Sequence, residues 1–107
     1  MNTCFPSIAM LAATASLVIS PLRAQEGDVG RGAEIARTIC SACHAVSSRI
    51  ATSPNSESPP FWKLAGTPGM TSIALSAALM TSHRSMPNII LEPEQRRDVI
   101  AYILSLK

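Results

Sequence analysis

The chain has 107 residues, of which nine are Lys or Arg and seven are Asp or Glu, so its formal net charge is only +2. This length allows one domain and no more. The weak net charge and the lack of a basic stripe argue against nucleic acid as a partner and against strong long-range electrostatic steering.

The N-terminal segment predicts export. An uncharged apolar run extends from Ile8 to Ser20, and the small residue Ala24 follows it. This arrangement is typical of a secretory signal peptide, so we expect residues 1–24 to be one, cleaved after Ala24. The absence of Lys and Arg before Ile8 does not fit that pattern. The alternative is an uncleaved membrane anchor, but the run is shorter than the roughly 20 residues that cross a bilayer.

The remaining domain, residues 25–107, has few aromatic side chains from which to build a core. It keeps three aromatic residues, Phe61, Trp62 and Tyr102. A chain of this size rarely builds a self-sufficient core. Its two cysteines, Cys40 and Cys43, are too close together to staple a domain. We therefore expect a cofactor, rather than disulfides, to supply the missing buried apolar bulk.

Helical signals dominate the domain, and no segment predicts a strand. The first helix is expected over residues 28–43, with Asp28 as its N-cap and Gly32 as the point where another helix packs closely. A polar loop follows over 47–60, and then a short helix or turn over 61–65.

Two further helices are predicted over residues 71–81, capped by Thr71, and 93–106, opened by Pro93. On the earlier of the two, one face is formed by Ile73, Ala77 and Met80, with Leu75 and Leu79 beside it. On the last helix, helical spacing predicts a buried face made of Val99, Tyr102, Ile103 and Leu106.

The segment from Cys40 to His44 reads C-S-A-C-H, the C-x-x-C-H pattern of c-type haem attachment. Two thiols on one helical turn can reach the two vinyl groups along a haem edge and form thioethers, and His44 then offers its imidazole to the iron. A thioredoxin-like pair is the first alternative, but it usually accompanies a βαβ pattern, which is missing. A zinc site would need two more ligands. The motif predicts one covalently bound haem c.

Met86 is the predicted sixth ligand. It lies in a loop, and Pro87 fixes the backbone directly after it. Met70 and Met80 are interpreted as core filler. His83 is the rival ligand and would lower the reduction potential, whereas methionine raises it. Trp62 is expected either to donate its indole N–H to a haem propionate or only to pack beside the haem.

Taken together, the elements resemble class I cytochrome c, in particular the small exported bacterial c-type cytochromes. The resemblance extends from Asp28 to Leu106. It rests on the order of five features: the first helix with Gly32, the Cys40 to His44 motif, Pro-Pro-Phe-Trp at 59–62, Ser85-Met86-Pro87, and the closing helix with Tyr102. The resemblance implies an all-α, cytochrome c-like fold in which three main helices and a short one surround a single covalently bound haem.

The resemblance also implies roles at the site. His44 and Met86 would be the proximal and distal iron ligands, and Gly32 would meet Tyr102 where the terminal helices cross. The carbonyl of Pro59, or else that of Pro60, would accept the other N–H of His44. The haem-binding residues are then Cys40, Cys43, His44, Met86, Trp62 and Pro59. The domain departs from the mitochondrial members in having only two lysines, Lys63 and Lys107.

With both axial positions filled, no open iron site remains for a substrate, so we expect electron transfer and no enzymatic activity. The expected protein is a soluble periplasmic monomer that shuttles single electrons between redox protein partners in transient complexes. It would be membrane-bound only if the leader stays uncleaved. Two alternatives stay open: a peroxidase-like or gas-binding protein with an open sixth site, and a fixed subunit of a periplasmic dehydrogenase or oxidase complex.

Overall fold

The computed structural model of the chain describes Met1 and residues 26–107. Apart from Met1, the predicted signal peptide and its cleavage point at Ala24 lie outside the described residues. Within the described part, no helix is both long enough and apolar enough to cross a membrane.

The described domain has four α-helices: α1 (Val29–Ile35), α2 (Phe61–Gly66), α3 (Ser72–Met80) and α4 (Pro93–Leu104). Helix α1 continues directly into a π-helical turn, Ala36–Cys40. Residues 26–107 contain no strand, only an isolated bridge between His83 and Met86. The prediction of an all-α fold with three main helices and a short one is confirmed. The first helix ends at Cys40, three residues earlier than expected.

The predicted helix starts are present and are stabilised by their side chains. The Asp28 carboxylate accepts a hydrogen bond from the Arg31 N–H at 2.7 Å, and the Thr71 hydroxyl accepts one from the Ala74 N–H at 3.1 Å. At α4, the Gln95 side chain accepts from the Glu92 N–H at 3.0 Å as part of a capping box. Such caps satisfy backbone donors that have no partner inside the helix.

Helices α1 and α4 cross at backbone contact. A Cβ atom on Gly32 would lie 1.9 Å from the Asp98 carbonyl oxygen and 2.8 Å from the Tyr102 Cβ. The predicted approach of Gly32 to Tyr102 is therefore present. Gly27 makes a second such contact, since a Cβ there would lie 2.0 Å from the Arg97 carbonyl oxygen. Two positions without side chains allow the two ends of the domain to pack this closely.

A buried carboxylate joins the same two helices. Asp98 is only 3% exposed, and it accepts hydrogen bonds from the Asp28 N–H at 2.6 Å and from Arg31 Nε at 2.9 Å. The hydrogen bond from Arg31 is the main reason that the pKa of Asp98 is lowered, and burial opposes it. The backbone N–H of Asp28 stabilises the charged form further. The carboxylate therefore links α4 to the start of α1.

The core lies between α4, which contributes three of its members, and the other elements. Its buried residues are Ala36, Val46, Phe61, Ala65, Leu75, Val99, Ile100 and Ile103. The predicted buried face of α4 is confirmed, because Val99 and Ile103 are fully buried and Tyr102 and Leu106 pack against the cluster.

The interpretation of Met80 as core filler is wrong. Met80 is 61% exposed and Ile73, on the same face, is 80% exposed, whereas Leu75 is only 4% exposed. Helix α3 packs on α4, and its Leu75 and Leu79 lie in or against the core. Since α3 carries apolar residues all around its axis, periodicity does not tell which face turns inward.

Replacing Gly32 with Ala should destabilise the domain, because the new methyl group would overlap backbone atoms of α4 that cannot move aside. We expect the free energy of unfolding of the haem-loaded protein to fall by about 2 kcal/mol or more, measured by guanidinium unfolding. Gly66→Ala is the matched control, since nothing lies within 4 Å of a Cβ at that helix position. Equal stability of the two variants would contradict the close crossing.

Replacing Asp98 with Asn should remove an acid-sensitive part of the stability. The folded-state pKa of Asp98 is lowered, so its stabilisation is complete above the unfolded-state pKa of about 3.9 and is lost as the pH falls through the folded-state value. At pH 7, urea unfolding should show a loss on the order of 1–2 kcal/mol. This difference from the parent protein should shrink below pH 4. Glu94→Gln, which removes only an exposed partner of Arg31, should change little at any pH.

Candidate functional site

The two cysteines and the first histidine lie on one turn at the end of the π-helical segment. The N–H groups of His44 and Cys43 both donate to the Cys40 carbonyl, at 2.9 and 3.2 Å. Both thiols are free, and each is partly buried. All three side chains line one apolar cavity. The structure therefore brings together the three residues of the predicted attachment motif.

The Cys40 thiol does not have the character of a reactive or zinc-binding thiol. Burial raises the pKa of the Cys40 thiol to about 11, whereas reactive and metal-binding thiols have a lowered pKa. Within residues 26–107, no cluster of three or more His, Cys, Asp or Glu side chains could hold a metal ion. The geometry supports neither the thioredoxin-like nor the zinc interpretation.

The imidazole of His44 is held by a backbone carbonyl. Its Nδ1 lies 2.7 Å from the Pro59 oxygen, and since a carbonyl only accepts, Nδ1 carries the proton in this contact. The Nε2 lone pair is then available to a metal. The ring also lies 5.3 Å from the ring of Phe61, whose N–H donates to the Ala45 carbonyl at 2.9 Å. Of the two prolines considered, Pro59 makes the hydrogen bond.

The apolar cavity has a volume of about 310 Å³. Its walls come from the attachment turn, from α2 and α3, from Ile103 of α4 and from the loop between α3 and α4. Met86 and His83 both line it, as does Met70, whereas Met80 does not. The cavity therefore holds His44 together with both of the candidates for the sixth ligand.

Met86 is presented by a tight turn. Its N–H donates to the His83 carbonyl at 3.0 Å, and Arg84, inside the turn, has a φ of 47°. This left-handed conformation is uncommon for any residue other than glycine. Met86 is partly buried, whereas His83 is exposed and its Nδ1 lies 3.0 Å from the Thr81 carbonyl oxygen.

A polar cleft of about 720 Å³ lies beside the apolar cavity. One wall is the loop over residues 51–58, with its Ser, Thr and Asn side chains. Two hydrogen bonds fix this loop to the residues around His44. The Ser53 hydroxyl accepts from the Ala45 N–H at 3.0 Å, and the Asn55 N–H donates to the Cys43 carbonyl at 3.2 Å.

Trp62 also fixes the loop. Its indole N–H donates to the Ile50 carbonyl at 3.1 Å, while its side chain lines the polar cleft. This contact lies within the protein, so both expectations for Trp62 beside a bound haem stay predictions. An indole has a single N–H donor, so this hydrogen bond occupies it.

The joined cavities fit a haem. Haem is a flat, largely apolar macrocycle with two carboxylates on one edge, so it needs an apolar slot that opens into a polar region. The apolar cavity and the polar cleft meet along shared residues: His44, Ser58, Pro59, His83, Ser85 and Met86. The free thiols of Cys40 and Cys43 line the apolar part. Ligand sites are typically such apolar clefts with a few placed polar groups.

Sequence reasoning missed three features of the site: the Ile50 carbonyl, the Ser53 hydroxyl, and the lining of the polar cleft by Lys63 and Arg84. The loop contacts carry no local signal, because they depend on where a polar loop folds back. For Arg84, its place two residues before Met86 was a usable signal.

The chain was compared with known proteins. Residues 29–107 match the family profile described as Cytochrome c. Over 100 residues the chain is 34% identical to Cytochrome c-552 of Bradyrhizobium diazoefficiens, and this alignment covers 94% of the chain and 92% of the relative. No solved structure gives a significant match.

Replacing Trp62 with Phe should loosen the loop while keeping an aromatic ring in place. The loss of one hydrogen bond, about 1 kcal/mol, should speed amide exchange roughly fivefold at Asn55 and Ala45, whose N–H groups bridge the loop and the attachment turn. Hydrogen exchange followed by NMR measures this effect. Ser105→Ala is the control, because it removes a hydroxyl that donates to the Tyr102 carbonyl at the end of α4. Unchanged exchange in Trp62→Phe would show that the indole does not hold the loop.

Proposed function

Because the chain belongs to the cytochrome c family, we propose that it is an exported electron carrier in which His44 and Met86 are the two axial ligands of the iron. The cofactor of this family is one covalently attached haem c, whose iron takes up and releases a single electron. The observation that carries the proposal is the apolar cavity, which is lined by Cys40, Cys43, His44 and Met86 together.

Cys40 and Cys43 provide the covalent attachment. In the attachment of haem c, each of these thiols would add across one vinyl group: a carbon–sulfur bond would form and the thiol proton would pass to the other vinyl carbon. Both sulfur atoms lie on one turn that is fixed by hydrogen bonds to the Cys40 carbonyl. This rigid turn orients His44 with respect to the attachment points.

His44 and Met86 set the electronic environment of the iron. The Pro59 carbonyl holds the imidazole by its Nδ1–H, which leaves Nε2 for the metal. The turn that ends at Met86 presents a thioether, a ligand that raises the reduction potential relative to a second imidazole. With both axial positions taken by His44 and Met86, no position on the iron would remain for a substrate, and the protein would act as an electron carrier rather than an enzyme.

The family implies redox proteins as partners in general. We propose that this chain meets its donor and acceptor in the periplasm, as a monomer that forms brief complexes of small interface area. Residues 1–24 would direct export and be removed, and residues 25–107 would form the cytochrome domain. This location is consistent with a maturation process that attaches haem c outside the cytoplasm.

Replacing Met86 with Ala should abolish the far-red methionine–iron band of the oxidised protein and lower the reduction potential. It should also let the reduced protein bind carbon monoxide, because the sixth position becomes open. Absorption spectra and a redox titration of the haem-loaded protein measure these effects. Met80→Ala is the matched control, since Met80 is exposed and does not line the cavity.

A far-red band that survives in Met86→Ala would contradict this ligand assignment. If carbon monoxide binds to His83→Ala but not to Met86→Ala, the sixth ligand is His83 instead. Carbon monoxide binding by the unmodified protein would favour the open-site alternative. Stable co-purification with a dehydrogenase or oxidase would favour a fixed subunit over a free shuttle.

A further inference from the structure

We propose that Lys63 and Arg84 form a cationic wall that binds the two haem propionates and raises the reduction potential. The inference rests on the proposed function, because it takes the haem to occupy the joined cavities. It goes beyond that function by naming the residues that control the charge around the cofactor.

The two cations reach the same cleft from different elements. Lys63 lies on α2, and Arg84 lies in the turn between His83 and Met86; both line the polar cleft. That cleft shares walls with the apolar cavity. A haem seated by Cys40 and Cys43 in the apolar part has its carboxylates to place in a polar part. Two cations for two carboxylates is a complementary arrangement.

Among residues 26–107, neither Lys63 nor Arg84 has a carboxylate partner. The ion pairs of the described residues join Arg31 to Glu94 and Asp98, and Arg37 to Glu34. Glu57 lines the same cleft, but among the described residues no carboxylate lies within 4.0 Å of the nitrogen atoms of Lys63 or Arg84. The lining of the cleft therefore contains two cationic side chains, Lys63 and Arg84, and one carboxylate, Glu57.

Two of the other hydrogen-bond donors at the cleft are already used, and its Ser, Thr and Asn side chains are uncharged. The Trp62 indole donates to Ile50, and the His44 Nδ1–H donates to Pro59. A carboxylate in a partly enclosed site needs partners, because an unpaired charge there is strongly disfavoured. Ionised donors make the shorter and stronger hydrogen bonds to carboxylates. Lys63 and Arg84 are the ionised donors that the cleft offers.

The conformation of Arg84 gives independent support. Its φ of 47° is an unfavourable conformation for a residue with a side chain, and such strain is concentrated at functional sites. The same turn brings Met86 to both cavities and Arg84 to the polar cleft. One short segment thus supplies a thioether to the apolar side and a cation to the polar side.

A positive charge close to the iron favours the reduced form, which carries one positive charge less than the oxidised form. Pairing with the propionates also cancels negative charge that would favour the oxidised form. Both effects act in the same direction. Removal of either cation should therefore lower the reduction potential.

The test compares Lys63→Gln, Arg84→Gln and the double variant with the haem-loaded parent protein. We expect each single change to weaken reduction severalfold in the one-electron equilibrium, where each factor of ten is about 59 mV, and the double change to weaken it further. Resonance Raman bands of the propionate bending modes should shift in the same variants. Arg49→Gln is the control, since Arg49 is exposed and lines neither cavity. Arg84→Lys, which keeps the positive charge, should have a reduction potential closer to that of the parent protein than Arg84→Gln has.

Potentials and propionate bands that match those of Arg49→Gln would overturn the inference. The far-red band is recorded for every variant, so that loss of Met86 ligation is recognised separately. Absence of that band from the parent protein would contradict the proposed ligand set, while the propionate bands would still report on Lys63 and Arg84. Lys63 lies on α2 and not on the turn that ends at Met86, so Lys63→Gln decides the matter even if Arg84→Gln disturbs that turn.

Discussion

The backbone contact between α1 and α4 is the constraint on which the site depends. Gly32 has no side chain that could collide with α4. At the same crossing, the Asp98 carboxylate binds the start of α1. The crossing fixes the direction in which α1 runs, and therefore where its last turn delivers Cys40. From α4, Ile103 forms part of the cavity wall, and the Tyr102 hydroxyl donates to the Val46 carbonyl at 2.6 Å, just beyond the attachment motif. A shift of one helix against the other would move the thiols, the histidine and the cavity wall together.

The domain is small because much of its core belongs to the cofactor. The apolar cavity lies among core residues such as Phe61 and Leu75, and it takes the place of side chains that a larger protein would supply. The chain closes the site with hydrogen bonds between side chains and backbone, at Pro59, Ile50 and Ser53. Such bonds hold a polar loop in place without a hydrophobic core of its own. The loop therefore serves as a wall of the site although its sequence resembles a linker.

The features predictable from residue spacing alone are the local ones, whereas the approach of Gly32 to Tyr102 and the contact of Pro59 with His44 were expected only from the resemblance to cytochrome c. Helix starts depend on residues three apart, such as Asp28 and Arg31, and the attachment motif lies within one turn, so both can be recognised from spacing. The buried face of α3 could not be predicted from spacing, because apolar residues surround that helix. Only its contact with α4 distinguishes the buried Leu75 from the exposed Ile73. The burial of Asp98 was hidden for a related reason: its partners lie about seventy residues away in sequence. The same holds for the indole of Trp62, whose acceptor is a main-chain carbonyl that any residue could provide.

The turn before Met86 shows how local strain and charge can serve one site. A glycine at position 84 would adopt a φ of 47° at almost no steric cost, whereas an L-residue is destabilised there by roughly 1–2 kcal/mol. The chain has Arg at this position, so its side chain has to contribute something that the backbone conformation alone does not. The polar cleft that Arg84 lines supplies the reason, because an unpaired cation there has no carboxylate partner within the described protein. Strain in the turn and a cation without a carboxylate partner thus occur at one residue, Arg84, and the proposed contact with a haem propionate would account for both.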